Sequence, residues 1–302
     1  MGKIAFLFSG QGDQFPGMGK DLFDRYSEAR AVFQCCDKLR PGTSQQCFSG
    51  AEEELKETKN TQPCLFAMEL AAAAVLSGAG IAPEAVAGFS LGEVAALTFA
   101  GKVDLEAGFR LVCKRGELMQ QAAEQYDTAM AAVVKLTPEQ LTELCGGFGH
   151  VYPVNFNCPG QISVAGLASE MPEFSKAVRT AGGRAIPLKV KGAFHSPYMD
   201  EAAIAFAQEL EDVSFQAGRT TLYSNLTAQP YGENVGQQLA QQICNPVQWE
   251  KLILNMIDAG IDTFIEIGPG KTLTNMLTKI NKEVRGYAVC DLSTILSEVT
   301  PC

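Results

Sequence analysis

Short apolar segments alternate with longer amphipathic segments along most of the chain. The first apolar run, Ile4 to Phe8, ends in Ser-Gly-Gln-Gly and predicts a buried strand that leads into a tight loop. A second strand is predicted at Ala85 to Gly88, and helical spacing is found at Gln62 to Leu76, Gly92 to Ala100 and Val103 to Ala122. This alternation predicts an α/β fold of the α/β-hydrolase-like kind, with a mainly parallel sheet.

The pattern changes near Ala129, where strands become more frequent. The predicted elements are strand Met130 to Val134, helix Pro138 to Cys145, strand Val151 to Asn155, strand Gln161 to Ala165, helix Glu170 to Ala181 and strand Ala185 to Val190. The order β-α-β-β-α-β is typical of a ferredoxin-like unit. We therefore predict an inserted small ferredoxin-like subdomain at residues 127–191, and a large α/β subdomain made of residues 1–126 and 192–302.

The α/β pattern resumes after this insert, with helices between the predicted strands. The strands are expected near Thr221 to Ser224, Thr263 to Ile267 and Tyr287 to Cys290.

Composition narrows the classes of partner. A formal net charge of −10 disfavours nucleic acid, which needs a basic surface. No apolar run approaches the ~20 residues of a membrane helix, and the N-terminus does not resemble a signal peptide, so we expect a cytoplasmic protein without a membrane partner. The ten cysteines, from Cys35 to Cys302, lack paired spacing and the chain has two histidines. We therefore expect free thiols, with neither a metal site nor a disulfide framework.

The segment Gly88-Phe89-Ser90-Leu91-Gly92 fits the pattern Gly-x-Ser-x-Gly between a short strand and a helix of small residues. In such a turn the glycines let strand and helix approach, and the serine hydroxyl points outward. Free amides at the start of the helix favour an oxyanion there. The five-residue pattern also occurs by chance in turns without catalytic function, but the strand-turn-helix context favours Ser90 as a nucleophile.

A serine nucleophile needs a base, and the chain offers only two histidines. His150 follows a Gly-Gly-Phe-Gly segment that predicts a surface loop, where a solvated histidine is expected. His195 lies in Gly-Ala-Phe-His-Ser-Pro, where the insert returns to the large subdomain. A lone loop histidine is more often structural than catalytic, yet His195 is the better candidate of the two.

The loop after the first strand, Ser9 to Gln14, has two interpretations. Gly10 and Gly12 after a strand fit a dinucleotide-binding turn, but Phe-Pro-Gly interrupts the helix that should receive the pyrophosphate. In a serine acyltransferase the same loop could supply an amide to an oxyanion hole.

Arg115 is the unusual charge on the predicted helix after the serine. A helical wheel places Arg110 and Lys114 on a polar face, whereas Arg115 falls in the apolar stripe. A buried arginine needs an anionic partner, which is either a protein carboxylate or a carboxylate of the substrate. The wheel alone leaves both possibilities open.

Further segments join these along the whole chain. They are Ser9-Gly10-Gln11-Gly12-Asp13-Gln14, Thr61-Gln62-Pro63, Gly88-Phe89-Ser90-Leu91-Gly92-Glu93, Arg115-Gly116-Glu117-Leu118-Met119-Gln120, Pro153-Val154-Asn155-Phe156-Asn157, Pro159-Gly160-Gln161, Gly192-Ala193-Phe194-His195, Asn245-Pro246-Val247-Gln248-Trp249 and Glu266-Ile267-Gly268-Pro269-Gly270. In this order they resemble the malonyl-CoA:acyl carrier protein transacylases of fatty acid synthesis and the related acyltransferase domains of polyketide synthases.

The resemblance implies a catalytic role for five residues. Ser90 would be the nucleophile and His195 the base. The backbone amides of Gln11 and Leu91 would form the oxyanion hole. The backbone carbonyl of Gln242 would orient the histidine.

The resemblance also implies the substrate and its contacts. Arg115 would bind the malonyl carboxylate, and Phe194, Met119 and Gln62 would be further substrate-binding residues, with Phe194 of the type that prefers malonyl over α-methylated groups. The partners would be malonyl-CoA and acyl carrier protein, and a monomer is expected. No cofactor is implied, because the coenzyme A thioester is a substrate.

One position departs from the family pattern, since Phe89 stands where histidine usually precedes the serine. This departure affects local polarity and acyl selectivity rather than the base. Coenzyme A and the carrier are anionic like the chain, so docking would need a local basic patch, for which Lys189 and Lys191 are the candidates, although both could be merely solvated strand-end charges.

Three other functions compete with this interpretation. The first is a serine esterase or thioesterase, although those enzymes place the histidine near the C-terminus, and no histidine follows His195 here. The second is an acyltransferase that serves a polyketide synthase in trans. The third is a noncatalytic protein that binds an acyl carrier or acyl-CoA.

Overall fold

The computed structural model describes residues 2–299. Its strands are β1 (Lys3–Phe8), β2 (Ala85–Gly88), β3 (Thr128–Val134), β4 (Val151–Cys158), β5 (Gln161–Leu167), β6 (Arg184–Pro187), β7 (Thr221–Leu222), β8 (Ile261–Ile267) and β9 (Arg285–Ala288). Its helices are α1 (Lys20–Arg25), α2 (Ser27–Leu39), α3 (Thr43–Ser49), α4 (Glu52–Leu55), α5 (Thr58–Gly78), α6 (Gly92–Phe99), α7 (Leu105–Glu124), α8 (Pro138–Gly146), α9 (Met171–Thr180), α10 (Asp200–Glu211), α11 (Val235–Gln242), α12 (Trp249–Asp258), α13 (Thr272–Ile280) and α14 (Leu292–Glu298). Residue 1 and residues 300–302, which include Cys302, lie outside the described residues.

Five strands form a parallel sheet in the order β7-β2-β1-β8-β9. Its central strands are buried along almost their whole length, as expected for a sheet covered on both faces. Phe8 pairs with Gly88 on one side and with Ile267 on the other. The loops that follow β1, β2 and β8 therefore meet at one edge of the sheet, where ligands bind in open α/β folds.

Helix α5 is a long helix beside this sheet, and 16 of its 21 residues are buried. It is apolar on nearly all of its faces and packs against α2 and α7. Such a helix belongs to a protein interior rather than to a surface. It brings Gln62 and Glu69, both fully or almost fully buried, into the core behind the edge where the loops meet.

The other four strands form an antiparallel sheet in the order β4-β5-β3-β6. Together with α8 and α9 this is the ferredoxin-like arrangement, and its own apolar core includes Leu141, Phe174 and Val178. The predicted fold class, a mainly parallel sheet plus a second small sheet, is confirmed. The division of the chain at residues 127 and 191 stays a prediction.

Several predicted element bounds are wrong. Strand β6 ends at Pro187 and not at Val190, because after the amide of Leu188, which donates to the carbonyl of Met130 at 2.9 Å, the pairing with β3 stops. Strand β7 ends at Leu222, and β9 ends at Ala288 because a 3₁₀ turn begins at Val289. The helices α1 to α4 were not predicted. Three of them, α1, α3 and α4, span seven residues or fewer, whereas α2 has buried residues at helical spacing, Ala29, Val32, Phe33 and Cys36, and was missed.

The nine cysteines within residues 2–299 are free thiols. No helix in that part of the chain is long and apolar enough to cross a membrane.

Candidate active site

Ser90 stands on a strained turn between β2 and α6. Its backbone φ is 55°, in the left-handed region that a residue with a side chain seldom adopts, at a cost of ~1–3 kcal/mol. A Cβ on Gly88 would lie 1.9 Å from the carbonyl carbon of Gly92, and a Cβ on Gly92 would lie 2.4 Å from the carbonyl oxygen of Phe8. Gly88 is therefore required where strand and helix of the turn approach each other, and Gly92 where the turn passes close to β1.

Asn225, which follows β7, holds this turn in place. Its Oδ1 accepts a hydrogen bond from the amide of Ser90 at 2.8 Å, and its Nδ2 donates to the carbonyl of Gly88 at 2.6 Å. Its own amide donates to Glu93 Oε1 at 2.9 Å. The residue is fully buried, so these bonds are shielded from water and fix the backbone of the nucleophile. Sequence reasoning missed Asn225.

His195 lies beside the serine in the geometry of a general base. Ser90 Oγ is 2.7 Å from Nε2, and Nδ1 is 2.8 Å from the backbone carbonyl oxygen of Gln242. The carbonyl can only accept, so Nδ1 carries the proton and Nε2 is free to take the serine proton. Burial lowers the pKa of His195 to about 4, and the positive charge of Arg115 contributes. The imidazole is therefore neutral near pH 7.

His150 is far less suited to this role. It lies at the end of the exposed loop between α8 and β4, and its backbone amide donates to Glu170. The structure brings only His195 to the serine.

Arg115 lies on α7 directly behind the serine and is 0% exposed. Its guanidinium donates to Gln62 Oε1 at 2.8 Å, to Gln242 Oε1 at 2.7 Å and to Ser90 Oγ at 3.2 Å. Burial lowers the pKa of Arg115 to about 10, so it remains a cation near pH 7.

The partners of Arg115 are neutral. Within residues 2–299 no carboxylate lies within ion-pair distance of its guanidinium, and its buried Nε has no acceptor. Arg110, on the same helix, is exposed as the wheel predicted. A buried cation without an anionic partner is suited to an anionic group of a ligand.

The side chain of Gln242 links the arginine to a buried carboxylate. Gln242 Nε2 donates to the carbonyl of Ser90 and to Glu93 Oε2, both at 2.7 Å. Glu93 Oε1 also accepts from the hydroxyl of Tyr231 at 2.7 Å. Burial raises the pKa of Glu93 to about 7, against the effect of these donors.

Sequence reasoning had assigned Gln242 through its backbone alone and missed Glu93 and Tyr231. The glutamate that follows the Gly-x-Ser-x-Gly pattern was the available signal, but nothing in the sequence indicated its partners.

The amides of Gln11 and Leu91 lie at the ends of β1 and β2, which are neighbours in the sheet. Within the described chain neither amide donates a hydrogen bond, whereas the amide of Ser90 is occupied by Asn225. Both residues line the cavity in front of Ser90. The two free amides suit an oxyanion that forms on a carbonyl attacked by the serine.

This cavity of about 330 Å³ lies between the two sheets. Seven of the nine sequence-predicted site residues line it, and they are Gln11, Gln62, Ser90, Leu91, Met119, Phe194 and His195. The other two, Arg115 and Gln242, do not line it but contact the hydroxyl and the backbone carbonyl of Ser90. Met119 accepts a hydrogen bond from Gln62 Nε2 at 3.3 Å, which orients the amide that holds Arg115.

The small sheet contributes polar groups to the opposite wall of the cavity. Asn155, Asn157 and Ser163 face it from β4 and β5, and Asn157 donates to Ser163 Oγ at 3.2 Å. The buried Oδ1 of Asn157 has no partner within residues 2–299. The sequence analysis did not assign these residues individually.

Phe89, the departure from the family pattern, packs edge-on against Trp249 with ring centroids 5.2 Å apart. Its ring also approaches Gly10, where an added Cβ would lie 2.8 Å from Phe89 Cδ1. The ring lines the cavity and makes this wall apolar.

Lys189 and Lys191 are exposed on the segment between β6 and His195. The cavity is lined by Leu188, which precedes Lys189, and by Val190, which lies between the two lysines. Both lysines therefore flank the cavity wall without entering it.

Comparison with known proteins gives consistent matches over the whole chain. The acyl transferase domain family matches residues 5–297. The malonyl CoA-acyl carrier protein transacylase of Bacillus subtilis strain 168 is 38% identical over 303 residues, covering 98% of this chain and 96% of that protein. The crystal structure of the malonyl CoA-acyl carrier protein transacylase of Clostridium perfringens has a TM-score of 0.95 and 36% identity, covering 98% of this chain and 97% of that one. A malonyl-transacylase solved in complex with a type II polyketide synthase acyl-carrier protein has a TM-score of 0.94 and 33% identity over 98% of each chain.

Proposed function

Because the chain belongs to the acyl transferase family, we propose that it transfers the malonyl group of malonyl-CoA to the phosphopantetheine thiol of an acyl carrier protein. The reaction proceeds through a malonyl ester on Ser90. The observation that carries the proposal is Arg115, a fully buried cation that contacts the serine hydroxyl and has no carboxylate of residues 2–299 as an ion-pair partner. A malonyl group differs from an acetyl group by one carboxylate, which this cation can bind.

The first half-reaction acylates the enzyme. Nε2 of His195 takes the proton of the Ser90 hydroxyl while Oγ attacks the thioester carbonyl carbon. The negative charge on the carbonyl oxygen is stabilised by the amides of Gln11 and Leu91. The carbon–sulfur bond then breaks, the histidine returns its proton to the sulfur, and coenzyme A leaves as the thiol.

The second half-reaction repeats these steps with the carrier thiol. His195 takes the thiol proton, the sulfur attacks the malonyl ester, and the proton passes to Ser90 Oγ as the ester breaks. Coenzyme A leaves before the carrier thiol enters the site, so the two half-reactions form a ping-pong cycle. A related malonyl-transacylase has been solved with an acyl-carrier protein, and this supports the carrier as acceptor.

Protein groups suffice for this chemistry, so we propose that no cofactor takes part. We propose a monomer as the active form. The free thiols within residues 2–299 support a reducing compartment such as the cytoplasm.

The test is a transfer assay with purified carrier protein in its holo form. Malonyl-CoA and carrier are mixed with the enzyme, and malonyl-carrier, free coenzyme A and free malonate are measured. The proposal expects malonyl-carrier equal to the coenzyme A released, with apo-carrier as the control that accepts nothing. Release of malonate in place of malonyl-carrier would instead identify a thioesterase.

A further inference from the structure

A hydrogen bond between two fully buried side chains lies beneath the loop that carries Gln11. Ser9, the first residue after β1, donates a hydrogen bond from its hydroxyl to Glu69 Oε1 at 2.6 Å. Both residues are 0% exposed, and Glu69 lies in the middle of α5. The proposed reaction uses neither of them. A carboxyl group buried at this depth costs stability unless its surroundings compensate, so its contact calls for an explanation.

The hydroxyl of Ser9 is held in a narrow space. The amide of Ser9 donates to the carbonyl of Ile267 at 3.1 Å. A Cβ on Gly268 would lie 2.3 Å from Ser9 Oγ, so the loop after β8 covers the hydroxyl on the side away from α5. Ser9 is thus fixed to the sheet through its backbone and to α5 through its side chain. Gln11 follows two residues later in the same loop.

The two oxygens of Glu69 differ in their surroundings. Oε1 accepts from Ser9, whereas the buried Oε2 has no partner within residues 2–299. Glu266 provides the contrast, because its oxygens accept from the amides of Leu273 and Thr274 and from the Thr274 hydroxyl. A buried carboxylate carries a charge that needs donors at both oxygens. A neutral acid leaves only one O–H without an acceptor at Oε2, which costs less than an uncompensated buried charge.

Electrostatics favour the neutral state of Glu69. Burial raises the pKa of Glu69 well above its usual value, and the negative charges of Glu266 and Asp13 raise it further. The hydrogen bond from Ser9 opposes these effects.

We propose that the Ser9–Glu69 pair positions the amide of Gln11 for the oxyanion, and that Glu69 serves in this pair as a neutral acid. Both are positioning residues, since neither touches the reacting atoms. The inference rests on the proposed function, because it assumes that the Gln11 amide stabilises the charge that forms when Ser90 is acylated. Misplacing such a donor slows the chemical step more than it weakens substrate binding.

The test measures the single-turnover rate at which Ser90 is malonylated, together with the KM for malonyl-CoA. Ser9→Ala/Glu69→Met removes both polar partners and leaves no buried group unpaired, so it should fold. We expect about a tenfold slower acylation with KM changed less than about twofold. Glu69→Gln, a neutral group of the same shape, should keep the wild-type rate within about threefold. Thr43→Val removes a buried hydroxyl of α3 outside the site and is the matched control.

Each outcome has a distinct meaning. A folded double variant that acylates at the wild-type rate would overturn the positioning role. Glu69→Gln as slow as the double variant would show that the ionised form is needed, and the neutral acid would be wrong. If the double variant does not fold, the single-turnover acylation rate of Ser9→Ala alone tests the positioning role. A wild-type protein that forms no malonyl ester would reject the proposed function itself.

Discussion

Replacement of Arg115 by alanine separates a malonyl transferase from an enzyme for uncharged acyl groups. The guanidinium is fully buried, its hydrogen-bond partners are neutral side chains, and its Nε has no acceptor among residues 2–299. A malonyl carboxylate bound there would receive charged hydrogen bonds worth ~1.5–3 kcal/mol each. In Arg115→Ala the malonyl carboxylate would enter the site without a partner. An acetyl group has no carboxylate, so it would lose no such contact.

The size of the effect is best taken as a ratio. Arg115 also touches Ser90 Oγ, and its removal leaves acceptor oxygens of Gln62 and Gln242 unpaired. These losses affect both substrates alike and cancel when kcat/KM for malonyl-CoA is divided by kcat/KM for acetyl-CoA. We expect this ratio to fall by roughly thirtyfold or more, corresponding to a discrimination change of ~2 kcal/mol or more.

The assay compares both substrates in the wild type, in Arg115→Ala and in Arg110→Ala. Arg110 is an exposed arginine on the same helix, so its replacement controls for the loss of one positive charge. Circular dichroism confirms that each variant is folded. The reasoning is refuted if Arg115→Ala lowers kcat/KM for both substrates by the same factor, since the arginine would then be structural.

Three further predictions concern the base, its support and the docking surface. Because the pKa of His195 is lowered to about 4, kcat/KM should stay level from neutral pH down to near that value, and an acid limb near 6.5 would contradict the burial argument. Gln242→Ala keeps the backbone carbonyl that orients His195 but loses the side chain that contacts Arg115. We expect kcat/KM for malonyl-CoA to fall roughly tenfold while the acid limb of the pH profile stays in place. An unchanged kcat/KM would show that the side chain has no role. Charge reversal of Lys189 and Lys191 to Glu should raise the carrier KM several-fold and reduce its salt dependence, while Lys38→Glu on α2 should not, and an equal response would place the docking patch elsewhere.

The local parts of the site could be predicted from sequence because their patterns are local. The elbow around Ser90 is defined by glycines two residues on either side, and its strand-turn-helix setting is visible in the printed sequence. Arg115 could be placed in an apolar stripe because helical periodicity is regular. His195 followed from the scarcity of histidines.

The supporting residues could not be predicted because they meet only through the strand order. Asn225 contacts Ser90 because β7 pairs with β2, although 135 residues separate the two in sequence. Tyr231 meets Glu93 in the same way, from a loop whose pattern has no periodic signal. Single polar residues in loops carry no indication of their partners until the sheet is assembled.

The central claim is an ester between the malonyl group and Ser90, and intact-mass measurement tests it most directly. The protein is incubated with malonyl-CoA without carrier, its mass is determined, and the modified peptide is mapped. The account predicts one malonyl group per chain, located on Ser90, absent from Ser90→Ala and removed when holo-carrier is added. A malonyl adduct that persists in Ser90→Ala, or carrier malonylation without any adduct on the enzyme, would contradict it.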